Sequence, residues 1–493
     1  MSYINRLAGQ TLVYGLGTIV PRFLHYLVLT FFYTRVFSES EYGIVTELYA
    51  FMVLFLVILT YGMETGFFRY SSSSPDRERV FATAFLSLLV TSLFFVVVAN
   101  LFIGSFAQAL RYENNRVYIR MFIFILAFDA IAAIPFARLR ADNRPLRFSI
   151  LKIINVLVTI VLVLFFLKIA PEMVKKGSVL PGWLYNPDLG VGYVFFCNMI
   201  ASGFVVILLL PEILSIKRGF SYTLWKRLLA YSLPLLIGGL AGTINDALDK
   251  MILRRLTPEE DGLAVVGEYG ASYKVAVLMS LFIQMFRFAV EPFFFEKSGH
   301  KDARESYAQV MKYFVIITLI IYLGINLYIS IFQNIIDSKL RDALSIVPIV
   351  SMGYLLYGIF VNLSVWYKIN DLTRYGAILT LGGALITVVI NLAFVPVYGY
   401  KASAWAHVAC YGSMVIASFF LGKRYYPVPY QTLRILFYLL IAILIVVFAA
   451  NVNYPDMLTE LSVNTILIIA FVIMVEKRDR ILETITGRNI FNR

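Results

Sequence analysis

Glu41-Tyr42-Gly43 is followed, twenty-one residues after the tyrosine, by Met63-Glu64-Thr65-Gly66-Phe67-Phe68. Glu268-Tyr269-Gly270 is followed at the same interval by Val290-Glu291-Pro292-Phe293-Phe294-Phe295. Both passages lie in apolar sequence, so the chain reads as a membrane protein built from two homologous lobes. Duplication of this kind is the usual architecture of transporters, in which two similar bundles work around a shared site.

The repeat extends well beyond these motifs. A shift of 226 lays Asn100-Leu101-Phe102-Ile103 on Asn326-Leu327-Tyr328-Ile329, and Phe106 on Phe332. A shift of 228 aligns Ile150, Leu151, Leu157, Thr159, Leu164 and Phe166 with Ile378, Leu379, Leu385, Thr387, Leu392 and Phe394. Apolar stretches match one another cheaply. The weight therefore rests on the repeated polar residues and on an offset that barely drifts.

Hydrophobic residues make up 60% of the 493 positions, and mean hydropathy is +0.79, which excludes an ordinary soluble domain. A bilayer core takes about twenty apolar residues per helix. Fourteen such stretches fit: 8–33, 44–68, 80–106, 117–138, 148–169, 190–213, 227–253, 265–295, 306–332, 342–366, 373–395, 401–422, 431–451 and 456–475. The sequence thus predicts an all-α polytopic protein with fourteen transmembrane helices. Two parallel six-helix lobes, related by a pseudo-two-fold, are followed by two extra helices. The predicted domains are 1–216, 217–425 and 426–493, the last holding helices 13 and 14 and a tail.

Residues 1–8 read as a short polar start rather than a cleavable signal. The longest loop opposite the N-terminus, 171–189, carries Pro181-Gly182 and Asn186-Pro187 as turn signals. Cys197 and Cys410 fall inside apolar spans and read as buried, inert thiols.

The net charge of +13 is distributed like a topology signal. Twenty-seven Lys and Arg fall on the side of the N-terminus, twelve on the opposite side, and four within spans. This asymmetry places both termini in the cytoplasm and gives the basic loops anionic membrane lipids as neighbours. No nucleic-acid partner is expected.

Enzyme motifs are missing: there is no Walker loop and no Gly-rich dinucleotide loop. Three histidines and two cysteines offer no metal-ligand spacing. No cofactor is expected, and the chain is not read as an enzyme. His25 and His407 each stand alone in a span and read as hydrogen-bonded interior imidazoles.

Charges at membrane depth are costly and mark functional interiors. Arg22 lies about fourteen residues into the first span, near the midplane, with Pro21 before it and His25 one turn on. Span 2 holds Glu47 and Glu64, and span 4 holds Asp129, which has no sequence-local partner. In span 7, Asn245, Asp246, Asp249 and Lys250 fall within a turn and a half, with Asp246 and Lys250 at an i,i+4 spacing. In span 8, Tyr273, Ser280, Gln284, Arg287 and Glu291 share one helical stripe, and Lys274 points away from it. Glu64 and Glu291 also fit an end-of-span role, and the span 7 charges also fit a neutral structural knot.

Aligning the lobes puts Glu47 on Lys274 and Thr60 on Arg287. An asymmetric ligand, or a Glu47–Lys274 ion pair between lobes, would account for that divergence. Gly62-x-x-x-Gly66 and Gly238-x-x-x-Gly242 are spacings that permit close helix contact. Aromatic clusters such as Tyr425-Tyr426 and Phe293-Phe294-Phe295 sit at span ends, as in an interfacial belt.

These residues resemble a known family. Tyr14-Gly15-Leu16-Gly17, Arg35 with Glu41-Tyr42-Gly43, Tyr61-Gly62-Met63-Glu64-Thr65 and Arg69-Tyr70 carry the likeness in the first lobe. Asp249-Lys250, Gly267-Glu268-Tyr269-Gly270, Tyr273-Lys274 and Glu291-Pro292 carry it in the second. As a set they are similar to the polysaccharide flippases (O-antigen and lipid-linked oligosaccharide carriers) of the multidrug/oligosaccharidyl-lipid/polysaccharide exporter superfamily.

The resemblance implies a cavity lined by spans 1, 2, 7 and 8 in a bacterial inner membrane. The implied cargo is an oligosaccharide linked through pyrophosphate to a polyprenol, with glycan-assembly enzymes as further partners. Arg22, Arg287, Lys274 and Lys250 would bind the pyrophosphate through charge-assisted bonds. Glu47, Glu64, Asp246, Asp249 and Glu291 would be cavity or coupling acids, with H+ or Na+ as the coupling ion. Helices 13 and 14 would contribute to a groove for the lipid tail.

The departure from that pattern is charge balance, because six acids face four bases within the spans. A cation-coupled multidrug antiporter of the same superfamily is the nearest alternative. A membrane glycan polymerase and a non-transporting scaffold stand further off.

Overall fold

The computed structural model describes residues 21, 23–73, 76–177, 180–216, 219–370 and 372–479. Arg22 and the side chains of His25 and Glu291 lie outside the described residues. All regular structure among the described residues is helical, as predicted. A π-helical turn, His25–Leu29, leads into α1 (Thr30–Val36). Then follow α2 (Glu39–Thr60), α3 (Met63–Ser73), α4 (Arg77–Leu101), α5 (Ile103–Ala109), α6 (Arg116–Ala141), α7 (Pro145–Leu164), α8 (Gly192–Leu208) and α9 (Tyr222–Leu256). The remainder comprises α10 (Glu259–Lys297), α11 (Ala303–Leu327), α12 (Val347–Leu363), α13 (Thr373–Tyr398), α14 (Tyr400–Tyr425), α15 (Thr432–Asn451) and α16 (Met457–Asp479).

Among the described residues, eleven helical segments are long and apolar enough to cross a membrane. The three other predicted stretches hold the shorter α8, the 39-residue α10 and the start of the chain, described from residue 21.

Contacts divide the chain into two compact units, Met1–Gly267 and Glu268–Arg493. The boundary falls inside α10, so α9, the predicted seventh span, belongs to the first unit. It packs there against α2, α3 and α4.

The duplicated Glu41-Tyr42-Gly43 has a structural meaning in its first copy. Glu41 completes a capping box at the start of α2: its carboxylate accepts the Ser38 N–H at 2.8 Å, and the Ser38 hydroxyl accepts the Glu41 N–H at 3.3 Å. Tyr42 is buried. Gly43 admits another backbone, since a Cβ there would strike the Leu263 carbonyl of α10. Gly267 repeats the arrangement from the other side, against the Glu39 carbonyl.

Tyr61 and Gly62 break α2 from α3 with φ of 34° and 69°, a left-handed kink that glycine tolerates. A side chain at Gly62 would meet the Ser232 carbonyl of α9, and Gly66 lies against Ser232 and Leu228. Close approach at the Gly62-x-x-x-Gly66 spacing is therefore observed. At Gly238 and Gly242 a Cβ would meet nothing within 4 Å among the described residues. That second spacing makes no close helix contact among the described residues.

The first unit's core joins Met63, Phe67, Phe81, Phe85, Leu88, Ile131, Ile134 and Leu228, from four helices. Inside a bilayer such a core is held by tight packing rather than by escape from water, because lipid is as apolar as the side chains. In the second unit, Phe360, Trp366, Leu379, Cys410, Tyr411 and Met414 form one cluster, and Val290, Phe294, Tyr307 and Val365 another. Cys197 and Cys410 are free, buried thiols, as predicted.

The two helices outside the repeat, α15 and α16, dock on α11. Asp479 accepts from Lys312 Nζ at 2.8 Å, from Arg434 Nη1 at 2.6 Å and from the Tyr438 hydroxyl, with its own side chain fully buried. Asn464 Nδ2 donates to the Leu327 carbonyl at 2.6 Å, toward the other end of α16.

Candidate functional site

Glu47 lies in the third turn of α2 and is 2% exposed. The Tyr112 hydroxyl, from the segment joining α5 to α6, donates to its carboxylate at 2.6 Å. The guanidinium of Arg254, in the last turn of α9, donates to the same oxygen. Arg254 also donates to the Arg111 carbonyl at 3.1 Å and lies 4.6 Å over the Tyr112 ring. Arg255 donates to the Ala109 carbonyl at 3.0 Å. One end of α9 is thus tied to α2 and to the segment after α5.

Glu47 thus has a cationic partner within the first unit. Lys274, seven residues into the second unit, is partly buried. Arg254 and Arg255 escaped the sequence reading because they stand at a span end, where a basic residue needs no special explanation. The available signal was Glu47 itself: a carboxylate in the body of a span requires a donor.

Glu64 pairs with Arg140 of α6, both groups partly exposed, and Arg140 lies 5.0 Å over the Phe68 ring. Nearby, Arg138 bonds Glu78 at 2.7 Å and Arg147 bonds Glu212 at 2.7 Å. These pairs bind together the end of the first unit opposite Glu47.

In α9, Lys250 is 8% exposed and Asp249 2%. The ammonium donates to the Asp249 carboxylate and to the Asp246 main-chain carbonyl, both at 2.9 Å. Asp246 itself is exposed, while Asn245 is buried. Lys250 therefore carries its own counter-charge.

The stripe predicted on α10 splits by burial. Tyr273 is buried and accepts from the Tyr354 hydroxyl at 3.0 Å. Ser280 is buried and donates to the Val277 carbonyl of its own helix at 2.8 Å. Gln284 is partly buried and Arg287 is exposed. Of the four predicted cavity bases, Arg287 is exposed, Lys274 partly buried and Lys250 buried. Arg22 and the Glu291 side chain lie outside the described residues. His407 is buried, with its ring 4.9 Å from those of both Tyr354 and Tyr411.

Among the described residues no group of three or more His, Cys, Asp or Glu side chains is placed to hold a metal ion. Ion pairs instead join side chains mostly from different helices. The family model described as polysaccharide biosynthesis protein matches residues 7–297. The chain belongs to that family.

Its fold is that of known carriers. It is similar to a lipid II flippase MurJ in an inward closed conformation, at 14% identity and TM-score 0.71, covering 95% of this chain and 99% of that one. It is also similar to a multidrug resistance MATE family transporter in an outward-facing conformation, at 15% identity and TM-score 0.61, covering 84% and 93%. A MOP superfamily transporter from Pyrococcus furiosus, titled for the reverse polarity of its binding pocket, aligns at 13% identity and TM-score 0.55, covering 84% and 94%. Comparison with curated proteins gives no match.

Proposed function

We propose that this protein is a flippase. It moves a polyprenyl-pyrophosphate-linked oligosaccharide from the cytoplasmic to the periplasmic leaflet of a bacterial inner membrane, by alternating access, for cell-surface polysaccharide synthesis. Membership of the polysaccharide biosynthesis family is the observation that carries the reading. The flippase-like fold supports it.

The pyrophosphate requires cationic donors, and Arg22, Arg287, Lys274 and Lys250 are the proposed set. Arg287 is the described member whose side chain is exposed, and a guanidinium fork matches phosphate bidentately. Lys250 would contribute only by exchanging Asp249 for the phosphate. The sugar crosses with the headgroup while the polyprenyl tail stays in the bilayer. On the proposed topology, with both termini cytoplasmic, the Glu47–Arg254–Tyr112 contact lies at the periplasmic end of spans 2 and 7. There it would serve as a latch, open when cargo leaves.

Reconstitution tests this. Vesicles carrying the protein should transfer a lipid-linked oligosaccharide between leaflets, and Arg287→Ala and Arg22→Ala should each abolish transfer. A second reading, a cation-coupled multidrug antiporter, draws on the acids Glu47, Asp129, Asp246 and Asp249 within the spans. Extrusion of organic cations that survives both arginine substitutions would favour it.

A further inference from the structure

Basic side chains at several helix ends of this protein are matched by acids: Arg138 by Glu78, Arg140 by Glu64, Arg147 by Glu212, Lys312 and Arg434 by Asp479. One corner of the second unit is different. Arg374 stands in the first turn of α13, and Lys423 and Arg424 stand in the last turn of α14. All three are exposed, and among the described residues no ion pair reaches any of them. Arg374 also lies at a helix N-terminus, where the macrodipole disfavours a cation and favours an anion.

The rings beneath these bases are packed into a fixed platform. Trp366, in the helical turn Val365–Ile369, is buried, and its indole N–H donates to Ser418 Oγ at 3.1 Å. Its ring stacks on that of Tyr425 at 5.7 Å and 7°. Tyr375 lies 5.5 Å from Trp366 and 5.2 Å from Tyr425, and the two tyrosine hydroxyls share a hydrogen bond of 2.6 Å. A Cβ at Gly422 would strike the Trp366 ring, so the close stack needs glycine there. The guanidinium of Arg374 is 5.4 Å from the Tyr375 ring centre, and that of Arg424 is 5.9 Å from the Tyr425 ring centre, both within cation–π reach. Two guanidiniums are thus held beside two linked phenols.

Apolar stripes run away from this corner. After Arg374, α13 exposes Ile378, Leu381, Leu385, Val389 and Leu392 at helical spacing. On α14, Ile416 and Phe420 are exposed and precede Arg424 at four-residue steps. The two helices pack against each other. Positive charge therefore caps a pair of neighbouring apolar stripes, with aromatic rings at the level where a membrane interface places them.

We propose that this corner binds one anionic phospholipid of the surrounding bilayer. Arg374, Lys423 and Arg424 hold its phosphate, with the Tyr375 and Tyr425 hydroxyls beside them, and its acyl chains lie along the stripes of α13 and α14. Guanidinium forks match phosphate oxygens. The apolar stripes select a phosphate that carries chains over a free one. On the proposed topology the lipid belongs to the cytoplasmic leaflet, and the inference does not depend on the proposed cargo.

Native mass spectrometry of the full-length protein in detergent tests the site. Titrated with phosphatidylglycerol, the wild type should retain one tightly held lipid, and it should hold zwitterionic phosphatidylcholine far more weakly. Neutralising the corner with Arg374→Gln, Lys423→Gln and Arg424→Gln together should weaken phosphatidylglycerol binding on the order of 10–100-fold. A control combining Arg77→Gln, Arg144→Gln and Arg227→Gln removes three exposed bases from the first unit, on the same side of the membrane in the proposed topology. That control should bind the lipid like the wild type. No loss in the first triple variant, or equal loss in both, would overturn a localised site. Inorganic pyrophosphate at the concentration of the lipid should not displace it, and displacement would overturn the assignment to a bilayer lipid.

Discussion

Glu47 and Arg254, 207 residues apart in the chain, share a charge-assisted hydrogen bond that ties the third turn of α2 to the last turn of α9. Their side chains are 3% and 11% exposed. Removing one partner from so enclosed a pair strands the other charge, at a cost of about 3–5 kcal/mol. Glu47→Ala should therefore lower stability by that order, read from denaturation of the purified protein in detergent. Exchanging the charges with Glu47→Arg and Arg254→Glu together should recover part of the loss.

Tyr112 binds the same carboxylate from a third segment. Tyr112→Phe keeps the ring under Arg254 and deletes only the donated bond, so its cost should be smaller, about 1.5–3 kcal/mol. Equal stability of wild type and Tyr112→Phe would show that the hydroxyl does not serve Glu47 in the membrane.

Asp479 holds α15 and α16 to α11 through Lys312, Arg434 and Tyr438. Asp479→Ala leaves Lys312 enclosed without its counter-charge, so the helix pair should loosen. Cysteines placed on α11 and α16 should cross-link less readily in the variant. If cross-linking is unchanged, docking depends on apolar packing and on the Asn464–Leu327 bond instead.

Glycines of similar appearance should respond differently. Gly43→Ala drives a methyl into the Leu263 carbonyl, a backbone atom that cannot rotate away. A loss of about 1–3 kcal/mol is expected from overpacking. Gly238→Ala meets open space and should stabilise the helix by up to about 1 kcal/mol. Thermal melting of the two variants side by side checks both.

Glu64→Gln should change stability by no more than about 1 kcal/mol, because its pair with Arg140 is partly exposed on both sides. If Glu64 is only an end-of-span tie, transfer of lipid-linked oligosaccharide should also persist. Loss of transfer at unchanged stability would return it to the coupling acids.

The sequence alone determined the all-helical membrane fold, the position of nearly every helix and the identity of the costly charges. Those features follow from local quantities: apolar length, helical period, and the rarity of ionised groups in hydrocarbon. The repeated Glu41-Tyr42-Gly43 was visible as a motif. Its purpose as a cap followed by a backbone crossing was not, since the Leu263 carbonyl lies 220 residues away.

Partnership was decided by tertiary structure. Glu47 found Arg254, 207 residues on, and Asp479 gathered three donors from two other helices. Lys250 took a neighbour's carboxylate. A one-dimensional pattern gives the face on which a charge lies but not which of several distant, similar groups the packing brings within bonding distance. That choice depends on where the helices cross, and crossings are set by the shapes of small and large side chains along their whole length.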